Sequence, residues 1–263
     1  MRKGKEGMIV VLFALVAVIG WIAYCGYAWS WGPFVKLHNL KTAGLPGNAA
    51  SYSVENMKQL ENSPLAGKRI VFLGSSVTYG ASSIGVSFAD FIAARNGAVM
   101  VKEAVSGTTL TDNGPDSYVA RLKRLDRNKD ADIFVCQLST NDASQNKPLG
   151  IMAAGSDYDT STVAGAIEYI ISYAKDTWHC PVVFYTSPRY DSKNYAVMTT
   201  LLHEIAEKWD ITVIDMWNDV AFNAITDEQR SLYMADAIHP TRAGYLEWWT
   251  PYMEKALYEV TQR

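Results

Sequence analysis

The sequence has few of the residues on which several classes of protein depend. Its 263 residues include three cysteines, too few for a disulfide scaffold, and four histidines, which leaves few candidates for a catalytic base. Basic residues are not in excess, because 24 of them stand against 27 acidic ones, and this argues against general nucleic-acid binding. The 49% hydrophobic content excludes a disordered chain, and a single long apolar run excludes a polytopic membrane protein.

That apolar run lies at the amino terminus and predicts a transmembrane helix over residues 8–29. The flank over residues 1–7 carries Arg2, Lys3 and Lys5, so it is expected in the cytoplasm, with the rest of the chain outside the cell membrane. Five aromatic residues toward the far end are typical of an interfacial belt: Trp21, Tyr24, Tyr27, Trp29 and Trp31. The alternative is a cleaved signal peptide and a secreted protein. A lipoprotein anchored at Cys25 is disfavoured, because Tyr24 stands where a small residue is expected.

The rest of the chain divides into a polar segment and one domain. Residues 30–67 are rich in Gly, Pro, Ser and Asn, which predicts a linker or stalk with one short helix around residues 54–61. Residues 68–263 alternate apolar runs with amphipathic stretches. The runs predict strands over 69–73, 99–102, 133–138, 182–186 and 212–214, and the amphipathic stretches predict helices over 87–95, 161–177, 194–209 and 242–260. This alternation indicates a three-layer α/β/α sandwich with a central parallel sheet.

Ligands of such sheets bind beyond the carboxyl ends of the strands, so the residues there are the candidates for a site. The first predicted strand ends at Gly74, followed by Ser75 and Ser76, and the spacing fits neither a dinucleotide fingerprint nor a phosphate-binding loop. The second leads to Gly107, and the third to Asn141 with an aspartate after it. Taken singly, each residue is as readily explained as a helix cap or a turn residue.

A nucleophilic serine needs a base, and elimination among the histidines favours His239. His38 lies in the linker, and His179 precedes a strand and so sits at the opposite end of the sheet. His203 lies within a helix where Glu207 replaces the second ligand of a zinc motif, so no metal site is expected. His239 instead has Asp236 three residues before it, and that carboxylate can accept the imidazole Nδ1–H and leave Nε2 free for a serine proton.

These residues together resemble the SGNH, or GDSL-type, hydrolase superfamily. Four motifs occur in the family's order over residues 68–263: the nucleophile block at 74–77, the second-block glycine at Gly107, the third-block pair at 141–142, and the D-x-x-H motif at 236–239. The resemblance implies the flavodoxin-like SGNH fold and an esterase with Ser76, His239 and Asp236 as triad. It also implies an oxyanion hole made by the Ser76 and Gly107 N–H groups and the Asn141 amide, with no cofactor or metal.

Two positions depart from the family pattern. Ser75 replaces the usual aspartate before the nucleophile, and Ser139 replaces the glycine that opens the third block. Neither change removes a catalytic group. Both changes affect the expected shape of the pocket, and therefore the substrate class, more than the expected mechanism. The two cysteines of the domain, Cys136 and Cys180, are expected to be buried thiols without a bridge.

The substrate class is less well defined by the sequence. The expected partners are the membrane, through the amino-terminal helix, and an ester substrate such as an O-acetylated glycan or a small molecule outside the cell. Tyr79, Arg189 and Tyr190 are candidate substrate contacts, with core packing or a solvated loop as the alternative for each. An O-acyltransferase with the same triad, a lipase or lysophospholipase, and a non-catalytic envelope-binding module remain open, and the oligomeric state is not readable.

Overall fold

The computed structural model describes residues 2–29, 32–34 and 36–262. Its five strands are β1 (Arg69–Gly74), β2 (Val99–Ala104), β3 (Ile133–Gln137), β4 (Val182–Tyr185) and β5 (Thr212–Ile214). Its α-helices are α1 (Arg2–Trp29), α2 (Lys36–Ala43), α3 (Ser76–Tyr79), α4 (Phe88–Asn96), α5 (Tyr118–Leu122), α6 (Thr140–Ser144), α7 (Val163–Trp178), α8 (Lys193–Trp209), α9 (Val220–Asn223), α10 (Asp227–Tyr233) and α11 (Thr250–Val260). Short 3₁₀ turns span Gly32–Phe34, Pro46–Asn48, Ala50–Tyr52 and Val54–Asn56, and a π-helix spans Gly244–Trp249.

The strands form one parallel sheet in the order β2-β1-β3-β4-β5. The chain moves outward from β1 to β2 and then returns to the other side of β1 with β3. This reversal opens a crevice at the carboxyl ends of β1, β2 and β3, where ligands bind in open parallel sheets. The order is the flavodoxin-like one, so the predicted fold class is confirmed.

The central strands β1, β3 and β4 are mostly apolar because helices cover both faces of the sheet, whereas the edge strand β2 is partly exposed and carries Lys102 and Glu103. On one face Val71 and Phe134 pack into a cluster with α5, α7 and α8. On the other face Phe72 and Val135 pack into a cluster with α4, the π-helix and α11. Since successive residues of a strand point to opposite faces, each short strand contributes side chains to both hydrophobic clusters. Cys136 and Cys180 are buried and unbridged, as expected.

The predicted helix over residues 242–260 is interrupted by the π-helix Gly244–Trp249. Pro251 lies just after it and has no N–H to continue the helical hydrogen bonds, which favours the wider turn. Gly244 is also in close contact with α10, because a Cβ there would lie 2.2 Å from the carbonyl oxygen of Tyr233.

The segment predicted as a linker over residues 30–67 makes specific contacts with the domain from the Pro46–Asn48 turn onward. The Asn48 side chain donates to the Ser82 carbonyl (2.8 Å) and accepts from the Arg242 N–H (2.8 Å). Leu65 is fully buried. The segment has its own helix, α2, and the helix expected around residues 54–61 is only the turn Val54–Asn56. Composition alone could not reveal these contacts, because polar turn residues also make specific hydrogen bonds to a neighbouring surface.

Helix α1 contains a span, Met8–Ala28, that is long and apolar enough to cross a membrane, and a signal sequence at an amino terminus meets the same criterion. Its large apolar side chains are uncovered, with Val10 68% and Phe13 71% exposed. The predicted belt residue Trp31 lies outside the described residues.

Candidate active site

The turn after β1 holds Ser76 above the edge of the sheet. Gly74 ends the strand with no room for a side chain, since a Cβ there would lie 1.7 Å from Thr78 Oγ1. Ser76 begins α3, and Gly80 closes that helix with φ 86° and an N–H donated to the Ser76 carbonyl. The neighbouring Ser75 is fully buried and donates its hydroxyl to the Gln137 side chain (3.3 Å). Of the two adjacent serines, only Ser76 therefore faces the crevice.

Ser76, His239 and Asp236 form one hydrogen-bonded chain. Ser76 Oγ lies 2.8 Å from His239 Nε2, and His239 Nδ1 lies 2.9 Å and 3.0 Å from the two carboxylate oxygens of Asp236. A carboxylate on Nδ1 requires a hydrogen there, so Nε2 is the acceptor for the serine proton. The serine and the histidine are 163 residues apart in the chain, and the fold brings them together.

Asp236 is held as an anion by its own loop. Partial desolvation opposes its ionisation, although its side chain is 53% exposed, but hydrogen bonds from the His239 ring and from the backbone N–H groups of Ile238 and His239 outweigh this and lower its pKa to about 2. The loop itself is pinned by an antiparallel bridge between Met234 and Pro240. A permanently charged carboxylate orients the imidazole and stabilises its protonated form.

The two predicted oxyanion groups outside the nucleophile turn lie close together, one on the loop after β2 and the other at the start of α6. Gly107 follows β2 with φ 80°, a conformation that favours glycine. Asn141 lies in the first turn of α6 and donates its side-chain amide to the Thr108 carbonyl (2.9 Å), next to Gly107. Ser139 caps α6 by accepting from the N–H groups of Asn141 and Asp142. The serine that departs from the family pattern thus orders the helix that carries the asparagine.

Three buried polar residues hold these segments together: Asp142, which belongs to the third-block pair, and Gln137 and Arg121, which sequence reasoning missed. The Asp142 carboxylate accepts from the Leu110 and Thr111 N–H groups at 2.7 Å and 3.1 Å and fixes the loop after Gly107. Gln137 Oε1 accepts from the N–H of Ser75 (2.9 Å) and from the hydroxyl of Thr78 (2.9 Å) in the nucleophile turn.

Arg121 is the third, and its guanidinium is fully buried. It donates to the Gly74 carbonyl at the end of β1 (2.7 Å), to the Glu103 carbonyl in β2 (2.8 Å) and to Thr108 Oγ1 (3.1 Å). It therefore joins the strand end that carries the nucleophile to the loop of Gly107. A single arginine in a short helix gives no sequence signal for this role.

The three predicted substrate contacts lie in different places. Tyr190 lines a cavity of about 360 Å³ that also touches Thr140, which precedes Asn141, and Ile238, which precedes His239. Burial raises the pKa of its hydroxyl to about 12, so it is neutral at physiological pH. Tyr79 is 38% exposed on α3, and Arg189 lies over the Trp217 ring, 5.7 Å from its centre. Neither Tyr79 nor Arg189 lines that cavity.

The remaining histidines have other partners. His203 Nε2 lies 2.7 Å from Asp215, His38 Nδ1 lies 3.0 Å from the Tyr27 carbonyl, and His179 ends α7 in a left-handed conformation. Within residues 2–29, 32–34 and 36–262, no group of three or more His, Cys, Asp and Glu side chains is arranged to hold a metal ion.

Comparisons with known proteins give one family and one fold. A sequence model of the GDSL-like lipase/acylhydrolase family matches residues 72–246. No curated protein matches the chain in sequence. Among solved structures, a protein of Lactobacillus plantarum is 20% identical with a TM-score of 0.61, and the match covers 74% of this chain and 96% of that one.

Two other solved structures are similar over nearly their whole length. A candidate GDSL-like lipase from Bacteroides ovatus is 17% identical with a TM-score of 0.57, covering 74% of this chain and 99% of that one. The acetyl xylan esterase AlAXEase is 14% identical with a TM-score of 0.53, covering 72% and 99%. At these identities the likeness shows a shared fold.

Proposed function

Because the chain belongs to the GDSL-like lipase/acylhydrolase family and is an SGNH-type hydrolase that acts on esters, we propose that it cleaves carboxyl esters with Ser76 as nucleophile, His239 as base and Asp236 as the orienting carboxylate. The observation that carries this proposal is the continuous hydrogen-bonded chain from Ser76 Oγ through the imidazole to Asp236. A second His–Asp pair, between His203 and Asp215, has no serine on its imidazole in the described contacts.

In the proposed reaction Ser76 Oγ attacks the ester carbonyl while His239 Nε2 takes the hydroxyl proton. The tetrahedral intermediate carries a negative oxygen, which the N–H groups of Ser76 and Gly107 and the Asn141 amide stabilise. His239 then returns the proton to the leaving alcohol, and an acyl-enzyme remains. Water then attacks the acyl-enzyme ester while His239 Nε2 takes a proton from it. The imidazole passes that proton to Ser76 Oγ, which releases the acid and restores the serine.

We place this activity outside the cell membrane, with helix α1 as a signal anchor and residues 1–7 in the cytoplasm. The support is the span Met8–Ala28 together with the basic residues before it in the sequence. The domain begins, on this proposal, with the packed segment that contains Asn48 rather than at residue 68. The first substrates to test are short acyl esters, such as acetyl groups on an extracytoplasmic glycan or small molecule.

The test is hydrolysis of 4-nitrophenyl acetate by the full chain in detergent micelles. Ser76→Ala should remove turnover, whereas Ser75→Ala should retain it, because the Ser75 hydroxyl is bonded to Gln137 rather than to a histidine. His239→Ala and His203→Ala form a second matched pair, of which only the first should lose activity. Turnover that survives Ser76→Ala would overturn the assignment of the nucleophile.

A further inference from the structure

The residues of the candidate triad lie on two separate parts of the chain. The base loop, residues 234–242, carries both Asp236 and His239, and the nucleophile loop, residues 80–86, directly follows helix α3, which begins at Ser76. Because Asp236 and His239 lie in one loop, the geometry of that pair is local. The 2.8 Å approach of His239 Nε2 to Ser76 Oγ depends instead on how the two loops are placed against each other.

The side chain of Asn48 forms hydrogen bonds with both loops. Its Oδ1 accepts from the Arg242 N–H in the base loop (2.8 Å), and its Nδ2 donates to the Ser82 carbonyl in the nucleophile loop (2.8 Å). Nδ2 also donates to the Thr42 carbonyl in helix α2 (2.8 Å). The residue is only 4% exposed, so water competes little for these bonds.

Both bonds lie close to a residue of the triad. Arg242 is three residues after His239 in the base loop. Ser82 follows Ala81, whose N–H donates to the Ser76 carbonyl (3.0 Å). A displacement of either loop would therefore move the nucleophile or the base.

The backbone before Asn48 packs at the same place. A Cβ on Gly47 would overlap the Leu232 carbonyl oxygen and the Thr241 side chain. The Thr241 hydroxyl donates to the Leu232 carbonyl (2.7 Å), so the surface that Gly47 contacts is itself held in place. The Pro46–Asn48 turn fits closely beside the base loop because its central residue is glycine.

Two further contacts join these parts of the chain directly. Arg242 Nε donates to the Ser83 carbonyl at 3.4 Å, which is long for a hydrogen bond. The Tyr245 hydroxyl donates to the Val77 carbonyl (2.6 Å), which fixes helix α3 rather than the loop after it. Asn48 is therefore the buried side chain that bonds at normal distances to the base loop and to the nucleophile loop.

We propose that Asn48 is a positioning residue for the esterase reaction, because it holds the two loops at the separation in which His239 Nε2 reaches Ser76 Oγ. This inference rests on the proposed function and adds a residue outside the range 72–246 that the family model matches. On this proposal the scaffold of the site begins at the Pro46–Asn48 turn, before the first strand of the sheet.

The experiment measures the rate at which a fluorophosphonate labels the full chain in detergent micelles. The rate constant at saturating probe, kinact, reports the alignment of Ser76 with His239, and the probe concentration at half the maximal rate reports binding. Asn48→Ala should lower kinact by about tenfold or more, because a small displacement of a reacting group is costly. The half-saturating concentration should stay within about twofold, since the probe site itself is unchanged.

The matched control is Asn96→Ala. Asn96 is fully buried and donates to the Ile92 carbonyl (2.9 Å) and to the Glu254 carboxylate (2.7 Å). It ends helix α4 three residues before β2, so it lies at the end of the sheet opposite to the triad. Its replacement should lower stability, as that of Asn48 does, and leave kinact unchanged. A folded Asn48→Ala protein with the wild-type kinact, or an equal fall in both variants, would overturn the proposal.

A second pair of variants keeps the test decisive if Asn48→Ala does not fold. Gly47→Ala retains the Asn48 side chain but pushes the turn away from Leu232 and Thr241, so kinact should again fall. The control is Gly44→Ala, because a Cβ on Gly44 has no atom within 4 Å, and it should label at the wild-type rate. A wild-type kinact in Gly47→Ala would contradict the proposal.

Hydrogen exchange separates failure of this inference from failure of the proposed function, because it needs no reaction at Ser76. Relative to the rest of the domain, peptides covering residues 76–86 and 236–245 should exchange faster in Asn48→Ala than in the wild type, and not in Asn96→Ala. If they do so while the wild type is neither labelled nor active, the proposed function fails and the joining of the loops by Asn48 stands. Unchanged exchange of both peptides in Asn48→Ala would refute the role assigned to Asn48.

Discussion

Replacing Arg121 with lysine should destabilise the domain and impair its site, because a lysine side chain cannot bond to all the groups that Arg121 joins. Its Nε donates to the Asp116 carbonyl (2.9 Å), and its two terminal nitrogens donate to the carbonyls of Gly74 and Glu103 and to Thr108 Oγ1. Lysine keeps the charge but has one nitrogen in place of the planar fork, so it cannot face acceptors on three sides.

The size of the effect follows from the bonds that are lost. A lysine ammonium reaches at best two of the four acceptors, so two hydrogen bonds from a charged group are lost. A hydrogen bond to a charged group contributes about 1.5–3 kcal/mol, so Arg121→Lys should cost about 3–6 kcal/mol of unfolding free energy. This is large against the total of about 5–15 kcal/mol that domains possess. Where the variant folds, its kcat should also fall. Gly74 comes just before the nucleophile turn and Thr108 comes just after Gly107, so both parts of the site lose a bond that positions them.

The matched control is Arg124→Lys, one turn later in the chain. The Arg124 side chain is 53% exposed and lies 3.6 Å from the Asp116 carboxylate. A surface pair of this kind is worth at most about 1 kcal/mol. The stability of both variants and of the wild type is measured by urea unfolding, with near-ultraviolet circular dichroism as the signal. Their activity is measured as hydrolysis of 4-nitrophenyl acetate. An Arg121→Lys protein within about 1 kcal/mol of wild type, with the same kcat, would refute this reasoning.

Three further predictions concern the oxyanion hole, the triad carboxylate and the segment before β1. Asn141→Ala should lower kcat by about 10²–10³ with little change in the unfolding midpoint, since one oxyanion donor is lost and the fold is kept; a smaller loss than tenfold would count against that role. The Asp236 pKa, about 2 in the folded chain against 3.8 for an ordinary aspartate, gives a stabilising contribution that is present above about pH 4 and disappears as the pH falls toward 2. Unfolding free energies of wild type and Asp236→Asn should therefore converge over that pH window, and a constant difference would contradict it. Asn48→Ala should cost about 2–4 kcal/mol in urea unfolding, because three hydrogen bonds are lost and two of them are buried, whereas Asn56→Ala, on the exposed surface, should cost less than about 1 kcal/mol. Equal costs would show that the segment does not stabilise the domain.

The strands and long helices were predictable because their signals are local. A run such as residues 70–73, apolar at every position, is typical of a strand covered on both faces, and the observed sheet agrees with it. The prediction of His239 also rested on local information, namely an aspartate three residues earlier and the absence of other suitable histidines. The structure places its imidazole on Ser76, while the catalytic role of the pair stays a prediction.

The features that sequence reasoning missed depend on contacts between distant segments. Arg121 bonds to Gly74, 47 residues away, and Asn48 bonds to Arg242, 194 residues away, and neither pairing leaves a pattern in the sequence around it. The polar composition of residues 30–67 predicted a linker because composition records solubility and not specific hydrogen bonds.

The most direct test of the central claim is covalent labelling of the full chain with a fluorophosphonate probe, followed by mass spectrometry of the peptides. The account predicts one label, on Ser76, that is absent from Ser76→Ala, strongly reduced in His239→Ala and retained in Ser75→Ala. A label on another serine, or no label on a folded wild-type protein, would contradict the assignment of Ser76 as an activated nucleophile.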